Sequence, residues 1–149
     1  MSRPLPFETT LEVRDACVCL HLQRAARAIG RRFDEAFRPV GLSNGQFSLL
    51  MALNVPWPPS MGAVARLLAM DRTTLTAALK PLGARGLVTV SDDPTDRRSR
   101  LLSLTDAGQD VLVAAVVIWR ETHEALLYDL MGFDPDRLRT ELRSLTRAG

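Results

Sequence analysis

The stretch MDRTTLTAALKPLGARGLVTVSDDPTDRRSRLLSLTDAG, residues 70–108, decides the fold. Its first half has helical spacing, with Leu75, Leu79 and Leu82 on one face and Asp71 placed to accept from the opening backbone N–H groups. Between those leucines stand Arg72, Thr73, Thr74, Thr76 and Lys80. Short hydroxyls and long cations near a helix N-terminus are the residue types that meet base edges and phosphates when a helix enters a DNA major groove. Alternation then replaces helical spacing: Leu87 to Val90, and Leu101, Leu102 and Leu104, read as two strands joined by a polar turn, hence a hairpin. Arg97 and Arg98 fall at its tip and Arg100 opens the return strand, while Asp92, Asp93, Pro94 and Asp96 shape the turn. Acidic groups suit a phosphate-facing tip only if they cap the turn or hold an arginine, the role expected of Asp96. A guanidinium on a thin hairpin can enter a minor groove, where narrow walls concentrate negative potential.

Working upstream, Ser60 is a natural N-cap for a short helix with Val64, Leu67 and Leu68 on one face, and the pattern breaks at Met70. Two short helices and a cation-tipped hairpin, in that order, predict a winged helix-turn-helix. Pro81 conflicts with a regular second helix, because an internal proline costs about 3 kcal/mol. Either it kinks the helix or the regular part ends at Lys80. Charge distribution agrees with a nucleic-acid partner. The whole chain carries only +2, yet residues 60–104 hold seven basic side chains against four acidic ones (+3) and residues 105–149 five against eight (−3).

The quoted segment, with RPVGLSNGQFSLLMAL upstream of it, resembles the DNA-binding core of the MarR family of bacterial transcriptional regulators. The wing of that family reads Asp-x-Arg-Asp-x-Arg. Here Asp93, Asp96 and Arg98 fit, Thr95 stands in place of the middle arginine, and Arg97 is additional, so either Arg97 or Arg98 is the minor-groove residue. The run Leu104-Thr105-Asp106-Ala107-Gly108 matches the family's junction from strand to helix, with Thr105 as cap. The resemblance also favours a helix that continues past Pro81 and closes at Gly86. It implies binding to double-stranded DNA as a homodimer, more often as a repressor, on an inverted-repeat operator. It further implies a small aromatic or anionic effector bound between the dimerisation helices and the winged unit.

The flanks present that unit. An apolar set including Cys17, Leu20, Ala25, Ala28, Ile29, Phe33 and Phe37 predicts one long helix from about Leu11 to Phe37, roughly 40 Å long and more than a small core can cover. Ser43 caps a helix bearing Phe47, Leu50, Met51 and Leu53, which stops before Pro56, Pro58 and Pro59. Thr105 to about Met131 reads as another long helix, and Pro135 opens a last one with Leu138, Leu142 and Leu145 on one stripe. Apolar stripes left over at both ends are best satisfied by a second copy. The fold class expected is mainly α (α+β), a single domain over 1–149. Its winged core spans 43–104, and helical dimerisation segments span 8–40 and 105–149.

Candidate effector contacts are His21, Arg24, Phe47, Trp57, Trp119 and His123, the polar or aromatic residues of the relevant segments. Cys19 lies where the peroxide-sensing OhrR branch places its reactive cysteine, which gives the alternative of a thiol-based organic-peroxide sensor. That branch supports its thiolate with tyrosine hydroxyls, whereas Phe33 and Phe47 stand at the matching places here. Cys17 and His21, four apart, fall short of a metal site, and two cysteines make no disulfide framework. No cofactor or metal is expected. Two distant histidines, no Gly-x-Ser-x-Gly elbow and no phosphate-cradling glycine loop leave no catalytic set, so an enzyme is not expected; a cysteine-dependent peroxidase is the one version the residues allow. The run Val111–Trp119 is far short of the roughly 20 residues that span a bilayer, and the N-terminal MSRPLPFETT has no apolar core, so a cytoplasmic protein is expected.

Overall fold

The computed structural model describes residues 4–147. In chain order these form α1 (Phe7–Ala16), α2 (Val18–Ala36), a 3-10 turn (Arg38–Val40), α3 (Asn44–Leu53), α4 (Met61–Leu67), α5 (Arg72–Ala84), β1 (Val88–Asp92), β2 (Arg100–Leu104), α6 (Asp106–Asp129) and α7 (Pro135–Arg147). The mainly α, winged helix-turn-helix architecture expected from the sequence is the one observed.

Side-chain caps place the helix starts. Ser43 accepts from the Gln46 N–H and its own N–H donates to the Gln46 side chain, a reciprocal capping box. Ser60 accepts from Ala63, Asp71 from Thr74 and Thr105 from Gly108. All four had the sequence signature of an N-cap. α5 runs through Pro81 and ends at Ala84, with Gly86 in the left-handed region at φ 69°. There the Gly86 N–H donates to the Gly83 carbonyl and the Leu87 N–H to the Leu82 carbonyl, both at 3.0 Å, which satisfies the helix's last acceptors. The helix therefore tolerates the proline and stops at the glycine.

The first helix differs from expectation. Instead of one rod, it breaks at Cys17, whose backbone is extended (φ −71°, ψ 107°) and whose Sγ accepts from the Leu20 N–H at 3.4 Å. Cys17 is thus the N-cap of α2, a role that sulfur fills weakly. No proline or glycine announces the break. Two residues assigned to buried faces also point outward: Leu67 is 70% exposed, and Met51 is exposed on α3. In α4 the buried positions are Met61, Val64 and Ala65.

α3 is the centre of the core. Its Phe47, Leu49, Leu50 and Leu53 pack with Phe33 and Phe37 of the α2 end, Leu75, Leu79 and Leu82 of α5, Leu102 of β2, and Leu112 and Ala115 of α6. A line of rings crosses this core: Phe33 to Phe37 (5.9 Å), Phe37 to Phe47 (4.7 Å), Phe47 to Trp119 (6.5 Å) and Trp119 to His123 (4.7 Å between centroids). The wing is a two-stranded antiparallel ribbon in which Val88 faces Leu104 and Asp92 faces Arg100. Its base is pinned to α6, because a Cβ on Gly108 would stand 2.1 Å from the Leu87 carbonyl oxygen. Only glycine lets α6 start this close to the ribbon.

α1 and α7 bury no residue at all. The accessible surface is 10985 Å², against about 7,600 Å² for a compact monomer of 16.5 kDa. The excess reflects helices that project from the core with Phe7, Val13, Val18, Tyr128, Met131 and Phe133 exposed.

The turn between α4 and α5 contains Ala69 at φ 51°, a non-glycine in the left-handed region. It closes α4 as Gly86 closes α5, with the Met70 N–H donating to the Ala65 carbonyl at 2.9 Å. Holding a Cβ there costs free energy, so Ala69→Gly is expected to raise unfolding stability by about 0.5–1 kcal/mol. Denaturant melts of the two proteins check this, and an unchanged or lower midpoint contradicts the strain.

Candidate nucleic-acid interface

Burying Leu75, Leu79 and Leu82 turns the opposite face of α5 to solvent. Arg72, Thr73, Thr76, Ala77, Lys80 and Gly83 of that face, with Val90 and Arg100 of the wing, line an open cleft of about 820 Å³. Four of the five α5 residues singled out in the sequence therefore converge, together with a wing arginine. Thr74 does not line the cleft, because its side chain works on the helix cap.

The three threonine hydroxyls are not equivalent. Thr74 Oγ1 donates to Asp71 Oδ2 at 2.8 Å, and Thr76 Oγ1 donates to the Arg72 carbonyl at 2.8 Å. With their protons committed, both can only accept from a ligand. Thr73 has no side-chain hydrogen bond among the described residues, so it alone is free to donate as well. Asp71 is the one acidic group at this helix start. Backbone and hydroxyl donation from Thr74 holds its carboxyl below the ordinary range, so it stays ionised as a cap.

At the wing, carboxylates build the turn and leave the tip cations free. Asp93 accepts from the Thr95 hydroxyl and N–H, which lowers its pKa, and Asp96 accepts from the Arg98 N–H at 2.9 Å. Asp96 is thus a turn cap. The arginine held by an acid is Arg100, paired with Asp92 across the ribbon. Arg97 and Arg98 are exposed and have no ion-pair partner among the described residues.

A second cleft, of about 520 Å³, lies between α3, α4 and α6. Phe47, Ser48, Met51, Ala52, Leu67, Leu68, Val116, Trp119 and Arg120 line it. Phe47 and Trp119 of the candidate effector contacts line this cleft, and the His123 ring stacks on Trp119. His21 and Arg24 are exposed on α2, and Trp57 is 76% exposed in the loop before α4, none of them at the cleft. Arg120 was missed. Its signal was present, a lone cation closing the apolar run 111–119. Cys19 is exposed and its Sγ accepts from the Gln23 amide at 3.4 Å. His21 Nδ1 donates to the Cys17 carbonyl rather than to its thiol. Among the described residues no three His, Cys, Asp or Glu gather as a metal site, and no helix is long and apolar enough to cross a membrane.

Residues 40–99 match the sequence model of the MarR family. The regulator PecS of Dickeya dadantii is 30% identical over 138 residues, a match covering 91% of this chain and 81% of PecS. The chain belongs to the MarR family. Three other curated transcriptional regulators are matched over about half of their own length, 48–53%. Among solved structures, the Mycobacterium tuberculosis transcriptional regulator MosR in complex with DNA superposes with a TM-score of 0.80 and 34% identity, covering 89% of this chain and 95% of that one. The transcriptional repressor CouR bound to p-coumaroyl-CoA, a protein of Rhodococcus jostii, superposes with a TM-score of 0.78 and 29% identity over 91% and 95% of the two chains. In this MarR-family chain α5 and the ribbon from Val88 to Leu104 are the second helix and the wing of the winged helix-turn-helix fold.

Because Asp71 is depressed by bonds that only its ionised form accepts, its cap is complete above the ordinary carboxylate range and is lost as pH falls through its lowered folded value. Asp71→Ala is expected to lower the melting temperature at neutral pH, with the gap from wild type closing in acid. Thermal melts from neutral pH down through the carboxylate range check this, and a gap independent of pH contradicts it.

Proposed function

We propose that this transcriptional regulator works as a homodimeric, ligand-responsive repressor that grips an inverted-repeat DNA site. α5 would lie in the major groove and the wing tip in the minor groove. One observation carries the reading: the polar face of α5 and Arg100 of the wing line one cleft, while Arg97 and Arg98 at the wing tip have no ion-pair partner among the described residues. Thr73 would meet a base edge or phosphate, Thr74 and Thr76 would accept from base or backbone donors, Arg72 and Lys80 would take phosphates or guanine, and Arg97 or Arg98 would enter the minor groove. MosR, similar over nearly its whole length, is a DNA complex, which supports this placement.

Dimerisation is supported by the two terminal helices that bury nothing and by the excess apolar surface they carry. A two-fold pair sets its recognition helices about 34 Å apart, in successive major grooves of one face. Effector response is supported by the cleft at Trp119. It joins α6, which would belong to the dimer, to α3 and α4, which carry the recognition helix. Its walls are apolar and aromatic with Arg120 as the one charge, a lining suited to a flat apolar body bearing an acid. CouR is a repressor bound to p-coumaroyl-CoA, an aromatic thioester of that general chemistry. A ligand that fits this cleft better in one spacing of the two recognition helices than in another would shift DNA affinity by that difference.

Replacing Arg97 and Arg98 together by alanine is expected to weaken binding to the footprinted site and to flatten its salt dependence by about one unit per lost phosphate contact. Affinity within about twofold of wild type would remove the wing from the interface. A thermal-shift series with phenolic acids and their thioesters tests the cleft. The shift produced by the best of them should vanish in Arg120→Ala, while an undiminished shift would place the ligand elsewhere.

A further inference from the structure

We propose that Arg85 is a positioning residue for DNA binding, acting through the backbone of Gly41 rather than by touching DNA. This rests on the reading of α5 as the DNA-facing helix. Arg85 is the C-cap of α5, and its side chain leaves the helix end to reach back 44 positions, where Nη1 donates to the Gly41 carbonyl at 2.6 Å. Gly41 closes the 3-10 turn between α2 and α3 at φ 67°. A Cβ at Gly41 would lie 3.3 Å from Arg85 Nη2 and 3.8 Å from Cζ, so the guanidinium rests directly on the glycine. No carboxylate pairs with Arg85 among the described residues. Its charge is spent on a neutral carbonyl, a charge-assisted bond stronger than a neutral one.

The same helix end is held from its other side. Thr105 Oγ1 donates to the Gly86 carbonyl at 2.6 Å and the Thr105 N–H to the Leu87 carbonyl at 3.1 Å. The exit of α5 is therefore clamped between two bodies. One is the start of α6, joined through Thr105 and the close approach at Gly108. The other is the corner between α2 and α3, joined through Arg85. The α6 side is two hydrogen bonds from Thr105 and the close approach at Gly108, and the α2 side is one exposed side chain bridging to a turn. A shift of α2 against α6 moves Gly41 relative to Thr105, and Arg85 converts that shift into a tilt of α5. Without Arg85 the helix keeps its fold, its α6 anchor and its packing on α3 and α4 but loses the strut at its exit, and with it the exact tilt that sets the spacing of the two α5 helices across a dimer.

The probe is the duplex that the full wild-type chain enriches most strongly from a randomised library, together with the same duplex lengthened by one base pair at its dyad. Affinity is measured over a salt series for wild type, Arg85→Ala and Arg85→Lys. Arg85→Ala is expected to bind the selected duplex about tenfold more weakly with an unchanged salt slope, and to lose most of the discrimination against the lengthened duplex. Arg85→Lys keeps a donor and should recover much of both. Gly41→Ala, which crowds the guanidinium and also strains a backbone at φ 67°, should weaken binding more in the wild-type background than in Arg85→Ala. A salt slope reduced by about one unit in Arg85→Ala would make the residue a direct phosphate contact and overturn the proposal. So would a folded Arg85→Ala chain that binds and discriminates like wild type. If Arg85→Ala does not fold, Arg85→Lys and Gly41→Ala decide by the same two readouts. A wild-type chain that enriches no duplex overturns the DNA-binding reading itself, a result distinct from either.

Discussion

A helix of 13 residues that buries Leu75, Leu79 and Leu82 completely or almost completely has no freedom to turn about its own axis. Rotation by a third of a turn would expose one leucine and drive a threonine or Lys80 into the core. Exposing a fully buried leucine costs about 1.5–3 kcal/mol, and burying an unpaired polar group costs at least as much again. The direction in which Arg72, Thr73, Thr76 and Lys80 point is thus set by the residues between them. Chemistry on the outer face is specified by hydrophobicity on the inner one.

Rotation about the axis is one coordinate, and tilt is another. Leucine burial tolerates several degrees of tilt, because apolar contacts carry little direction. Hydrogen bonds supply what is missing. The end of α5 hands its last carbonyls to its own closing turn and to Thr105, and the close packing of Gly108 against Leu87 places the wing at a fixed distance from that end. The wing and α5 are consequently joined to each other and to the first turn of α6. The apolar cleft at Trp119 lies apart from that unit, between α3, the end of α4 and the middle of α6.

Carboxylates in this region repay attention to what they bind. Asp71, Asp93 and Asp96 each accept from backbone N–H groups within three residues, and Asp92 takes Arg100. They shape the cap and the turn and leave the tip guanidinium groups unneutralised. Residues 92–100 hold three carboxylates and three arginines, of which only Asp92 and Arg100 pair with each other, so Arg97 and Arg98 are held by no carboxylate among the described residues.

The sequence by itself determined the order of the elements from α3 onward, the four helix caps, and the outward set on α5, while the passage of α5 through Pro81 to Gly86 was implied only by the family resemblance. Each of those signals acts within about four residues, over a helix turn or a strand alternation, and so is written in local spacing. The tertiary structure alone decided the break at Cys17, where a weak sulfur cap does the work a serine or proline would have advertised. It decided that Leu67 and Met51 face outward, that Arg120 rather than His21, Arg24 or Trp57 lies at the second cleft, and that Arg85 meets Gly41. The Cys17 break rests on a local cap too weak to read from residue type, and the others on packing between segments far apart in sequence. Periodicity reports that a residue has a face, but only the packed chain says what stands opposite it.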